Sequence, residues 1–190
     1  MIKTDAINLC LRYIGEAPLP SGINIGTLDP QHEAVIIDQI INEVSEKVQG
    51  DSWWFNRENW VFQPDSTTNK INIPSAVISL ITTDGDYVVR GQVLYDRDNS
   101  TYYFSNPVST NVVWNVKFEE LPSKAAFYIA YLSAQEAQVF FNGDSFVNSD
   151  LKEKILKAYA DLRKEELRQS GYNLVKGSRI VSRTTNPQGV

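Results

Sequence analysis

The stretch Gly50-Asp51-Ser52-Trp53-Trp54-Phe55-Asn56 decides the reading of this chain. It closes an apolar helix and opens a strand-rich middle. Two adjacent tryptophans and a phenylalanine are costly to expose and large enough to fix how two structural parts meet. Upstream of it, Ile37, Ile40, Ile41, Val44 and Val48 recur at helical spacing, with Asp38, Asn42, Glu43, Glu46 and Lys47 mostly on the wet side. Asp29 as N-cap and Pro30 in the first turn predict where this helix starts, and Gly50 where it stops. Further upstream, Ala6, Leu9, Cys10 and Tyr13 predict a first helix from Thr4 or Asp5 to Ile14, ended by Gly15 and kept from resuming by Pro18.

Downstream the pattern changes to strands. Trp60–Phe62, Lys70–Ile73, Ala76–Ile81, Tyr87–Val89 and Val112–Val116 are short and rich in β-branched or aromatic residues. Turn signals such as Asp84-Gly85-Asp86 and Asp96-Arg97-Asp98-Asn99 separate them. Alternation is imperfect, which predicts a sheet covered on one face by helices. Leu121-Pro122-Ser123 then restarts helix, and Ala126, Ile129, Ala130, Ser133, Ala134 and Ala137 give it a small-residue face suited to close helix packing. Phe140 and Phe141 are expected to anchor its end. A last helix is predicted from Ser149 or Asp150, with Asp150 and Glu153 at capping-box spacing. Leu151, Ile155, Ala158, Tyr159 and Leu162 face inward, and Gly171 stops it.

The fold class that follows is α+β: a four-helix bundle-like part, an inserted β-sheet subdomain and an extended C-terminal tail. The expected boundaries are residues 1–52 and 119–171 for a discontinuous helical bundle, 53–118 for the β-strand-rich insertion, and 172–190 for a flexible docking tail. That tail has no acidic residue and too few apolar ones to bury a core of its own.

Composition excludes several function classes. One cysteine, Cys10, excludes an intrachain disulfide and a cysteine zinc site, and one histidine, His32, excludes a multi-histidine metal site. Cys10 reads as a buried packing thiol. No apolar run approaches the length of a membrane span. Met1-Ile2-Lys3-Thr4-Asp5 lacks the layout of a secretory signal, so synthesis in the cytoplasm is expected. The net charge of −5 is unevenly spread: residues 150–190 hold nine Lys or Arg against five Asp or Glu, and residues 1–149 hold nine against eighteen. An acidic body with a basic end suggests head-to-tail contacts between copies or an acidic partner; scattered solvated charge is the plainer alternative.

Motifs of catalysis are sparse. There is no phosphate loop, no dinucleotide fingerprint and no Gly-x-Ser-x-Gly elbow. His32 falls one turn into the predicted helix with no carboxylate to orient it, and reads as a surface residue. Glu119 and Glu120, at a strand-to-helix junction, and Glu136, on a small-residue helix, are the carboxylates to weigh for glycan hydrolysis. Adjacent side chains diverge, so Glu119 and Glu120 are poorly arranged as acid and base. Glu136 reads as a partly buried acid or an interface residue. Trp53, Trp54, Phe55 and Trp60 could stack on sugars or bases, but their junction position favours core or hinge packing. Nucleic-acid binding is disfavoured by the acidic body; Lys176, Arg179 and Arg183 are too few and too widely spaced.

The chain resembles the tail tubular protein A family, the adaptor (gatekeeper) proteins of short-tailed bacteriophages related to T7. Asp5-Ala6-Ile7-Asn8 leading into Ile14-Gly15-Glu16-Ala17-Pro18, then Ser52-Trp53-Trp54-Phe55-Asn56 and Val93-Leu94-Tyr95-Asp96-Arg97 carry the likeness. Glu119-Glu120-Leu121-Pro122, Phe140-Phe141-Asn142-Gly143 and Gly171-Tyr172-Asn173-Leu174 continue it in family order. The resemblance implies a helical bundle with a β insertion, assembled as a dodecameric ring in the virion. Such a ring joins the portal protein to a tail tubular protein B-like nozzle and passes double-stranded DNA without specific binding. It implies no catalytic residue, cofactor, metal or membrane. Tyr172, Asn173, Leu174, Lys176, Arg179 and Arg183 are the expected docking residues of the tail. The alternative is a carbohydrate-active virion protein acting on host surface polysaccharide.

Overall fold

A computed structural model describes residues 1–20, 22–143 and 145–169. Helix α1 (Lys3–Ile14) opens with the Ile2 N–H donating to Asp5 Oδ2 at 3.2 Å and closes on Gly15, whose φ of +86° is left-handed. Helix α2 (Glu33–Gln49) starts later than Asp29-Pro30 suggests. Asp29 instead accepts from the Gln31 N–H in a preceding turn, and His32 is the N-cap, its Nδ1 accepting from the Ala34 N–H at 3.1 Å. Gly50 follows α2 in right-handed conformation; the reversal falls on Ser52, at φ 62°.

Helix α3 (Ser123–Phe141) is the hub, packing on α1, α2 and α4 (Ser145–Gln169). Its predicted small face, from Ala126 to Ala137, is fully buried, which lets three helices approach one axis. Ile7, Leu11, Ile37, Ile41, Ile129, Leu151 and Leu162 fill the space around it. Helix α4 begins well before Asp150. The Asp150 carboxylate accepts from Tyr13 Oη and Lys154 Nζ rather than capping the helix. Phe140 is 67% exposed; only Phe141 turns into the core.

The β strands are β1 (Arg57–Phe62), β2 (Val77–Thr82), β3 (Tyr87–Arg90), β4 (Val93–Asp96) and β5 (Val108–Trp114). Three form an antiparallel sheet in the order β1-β5-β2, with Trp60 opposite Thr110 and Leu80 opposite Val112; β3 and β4 form a separate hairpin. Among the described residues the expected cover of helices over this sheet is not seen. Phe62, Val108 and Val112 pack against Leu94 of the hairpin and against Ile71, Ile73 and Phe104 of the connections, a second core distinct from that of the helices. Lys70–Ile73 supplies one bridge, Asn72 to Val93, instead of a strand. Pro74, without an N–H, ends the pairing. The fold is therefore α+β, with four α-helices and small antiparallel β structure among the described residues.

Candidate functional site

The chain leaves the helices after Gln49 and returns after Trp114, and both crossings are bound side by side. The Trp114 N–H donates to Asn56 O at 2.8 Å. Asn56, 1% exposed, donates through Nδ2 to Gln49 O at 2.8 Å and Trp114 O at 2.9 Å. Gln49, 0% exposed, accepts from the Val116 N–H at 2.7 Å and donates to Val116 O at 2.9 Å. Its Nε2 also has Ser45 Oγ and Asn115 Oδ1 within 3.1 Å. Two buried amides thus bind the outgoing strand, the returning strand and the end of α2 into one polar clamp.

Trp53 seals the helix side of the clamp. It is 2% exposed, and its Nε1 donates to Val48 O at 2.7 Å, a carbonyl in the last turn of α2 that also accepts from the Asp51 N–H at 3.2 Å. Tyr159 of α4 meets the indole edge-on with centroids 6.3 Å apart, and Arg163 lies 5.6 Å from the ring. Trp54 and Phe55, edge to face at 5.1 Å, pack half-buried against the helical core. Trp60 is elsewhere: on β1, 46% exposed, against Trp114 and Phe62. Sequence reasoning missed Gln49 and Asn56. The signal for Gln49 was its position, since Ile41, Ser45 and Gln49 continue the buried face of α2 at four-residue intervals.

The outer faces of the last two helices carry apolar residues that are exposed among the described residues. On α4, Leu156 is 69% and Leu167 53% exposed; on α3, Phe127 and Val139 join Phe140. Between α3 and α4 runs a trough of about 340 Å³ lined by Lys124, Phe127, Tyr131, Lys154, Lys157, Ala158 and Asp161. It meets a second hollow, lined by Leu9, Arg12, Tyr13, Tyr131 and Lys154, so the two share Tyr131 and Lys154. Lys154 sits at the meeting point, donating to Asp150 at 2.8 Å and Tyr13 Oη at 2.6 Å. Those bonds, Asp150 first, hold its ammonium charged well above the ordinary lysine range, and Lys154 in turn lowers the Asp150 carboxyl.

The carboxylates weighed for catalysis do not converge. Glu119 and Glu120 lie in a short 3-10 turn before α3. Glu136 is thirteen residues beyond the start of α3, about 20 Å along the axis. Glycoside hydrolysis needs its pair about 5 to 9.5 Å apart. Glu136 is also exposed rather than partly buried. His32 Nδ1, the atom a triad carboxylate would orient, accepts from the Ala34 N–H, with the Glu33 carboxylate 3.6 Å away. Cys10 is fully buried, with burial pushing its thiol up to about 12. Tyr172, Asn173, Leu174, Lys176, Arg179 and Arg183 lie outside the described residues.

Two comparisons bear on what such a chain is. The family model described as tail tubular protein matches residues 4–172. Tail tubular protein A of Klebsiella phage KP34 is 30% identical over 150 residues, covering 76% of each chain. The family match, over residues 4–172, takes in α1 through α4, the clamp and the whole β part. The chain belongs to the tail tubular protein family.

Proposed function

We propose that this chain, a structural protein of a phage tail, is the ring-forming adaptor between the portal and the tail nozzle. Twelve copies surround the channel through which double-stranded DNA leaves. Family membership over residues 4–172 is the observation that carries this reading. The large apolar side chains exposed on α3 and α4 support it, since an assembly would remove them from water. An acidic body supports the channel role, since like charge keeps phosphates from sticking. Residues 1–52 and 119–171 act as one packing unit, 53–118 as the projecting unit, and Trp53, Trp54 and Phe55 as the packing between them. Residues 172–190 dock the subunit on its neighbour or on the portal.

Native mass measurement of the purified chain, alone and with a portal, tests the ring; a closed dodecamer is expected. Virion images lacking density for this chain beneath the head vertex would refute the adaptor role. Deleting residues 173–190 should leave a folded subunit that no longer docks, and unchanged portal binding would overturn the role given to the tail.

A further inference from the structure

The trough between α3 and α4 and the acidic turn between β2 and β3 are complementary surfaces of one chain. Four cations, Arg12, Lys124, Lys154 and Lys157, stand around the two hollows against one lining carboxylate, Asp161, among the described residues. Lys154 and Lys124 already have partners in Asp150 and Glu165. Arg12 and Lys157 are exposed and ion-paired with nothing among the described residues. Phe127, 42% exposed, and Tyr131 give the trough an apolar wall. A site of this kind suits a narrow acidic segment whose backbone lies on the aromatic wall while its carboxylates reach the lysines.

The β part offers such a segment. Asp84, Asp86 and Asp98 are exposed together where the β2–β3 turn meets the end of β4; Arg97 is ion-paired with Asp86 and its field also reaches Asp98, so one cation faces three carboxylates. Gly85 at the tip of the turn lies against the Tyr87 ring; a Cβ at Gly85 would come within 2.6 Å of Tyr87 Cζ. Burial and then the fields of Asp96, Asp84 and Asp98 push the Tyr87 phenol up, a sign of how negative this corner is.

We propose that the Asp84-Gly85-Asp86 turn of one copy, with Asp98 beside it, docks in the α3–α4 trough of the next copy. Arg12 and Lys157 receive its carboxylates. Donor and acceptor surfaces differ, one on the β part and one on the helices, so the contact is heterologous and propagates from copy to copy. It rests on the ring reading above and gives that ring its direction.

Charge reversal tests it. Variant D84K/D98K has a cationic turn and variant R12E/K157E an acidic trough; each pairs like with like and should raise the midpoint concentration of assembly about a hundredfold. Both change exposed side chains, and circular dichroism and melting confirm folding. Mixed in equal amounts, the two variants pair opposite charges at every alternating contact and should assemble again. Rising salt should weaken wild-type assembly. Wild-type rings with both variants assembling equally well, or no recovery on mixing, overturn the contact and leave the ring standing. A wild-type chain that stays monomeric at every concentration overturns both.

Discussion

Replacing Gln49 with leucine keeps nearly the same volume and removes every hydrogen bond that the side chain makes. Gln49 Oε1 holds the Val116 N–H at 2.7 Å, and Nε2 holds Val116 O at 2.9 Å. Its two amide hydrogens serve three acceptors, so Ser45 Oγ and Asn115 Oδ1 compete for the second. Two well-made bonds lost at about 1 kcal/mol each, plus about 1 to 3 kcal/mol for stranding a backbone amide beside a dry leucine, predict a loss of about 3 to 5 kcal/mol. Ser45→Ala is the control. It removes one of two competing acceptors, so it should cost about 1 kcal/mol or less. Urea unfolding followed by tryptophan fluorescence reads this well, because Trp53, Trp54 and Trp114 flank the clamp. In the leucine variant the fluorescence transition should separate from the far-ultraviolet circular dichroism transition as the β part loosens first. A leucine variant within about 1 kcal/mol of wild type, or an alanine control costing as much as leucine, refutes the clamp.

Other perturbations have equally direct expectations. Trp53→Ala should cost about 3 to 5 kcal/mol in the same titration, as a large buried ring is lost, and Trp53→Phe less, since it forfeits mainly the bond to Val48 O. Cys10 should resist iodoacetamide in the folded chain and react fully in urea. Its folded pKa of about 12 lies above the ordinary 9.0, so its contribution to stability is complete below pH 9 and drains away from pH 9 to 12 at about 1.4 kcal/mol per pH unit. A Cys10→Ser chain should lose that part of the alkaline slope. Leu156→Lys with Leu167→Lys should leave melting within about 1 kcal/mol of wild type, since both side chains already face water, yet abolish the assembled species in sedimentation.

The helices were legible wherever local chemistry and burial agreed. Gly15 and Pro18 mark the end of α1 because both act through the backbone alone, and the alanine-rich face of α3 is buried as its spacing requires. The start of α4 was misplaced because Asp150 and Glu153 mimic a capping box. The competing partners of Asp150, Tyr13 and Lys154, include one that is 137 residues away in sequence and invisible to a local reading. The cover of the sheet was misassigned for a similar reason. Strand β4 is four residues long, too short to show a period, yet its Leu94 is a fully buried member of the second core. Gln49 and Asn56 were overlooked because composition treats amides as surface residues. The family likeness in Ser52–Asn56 and Val93–Arg97 pointed to both regions without saying what they do.

The backbone rung between Asn56 and Trp114 has an evolutionary corollary. Where an inserted segment begins and ends one hydrogen bond apart, it can be excised or exchanged behind a short connector while its host keeps both stubs in place. Joining Asn56 to Trp114 through a few glycines should yield a soluble helical miniature. Grafting a foreign β segment at the same two stubs should give a chimera whose helices are unaware of the transplant.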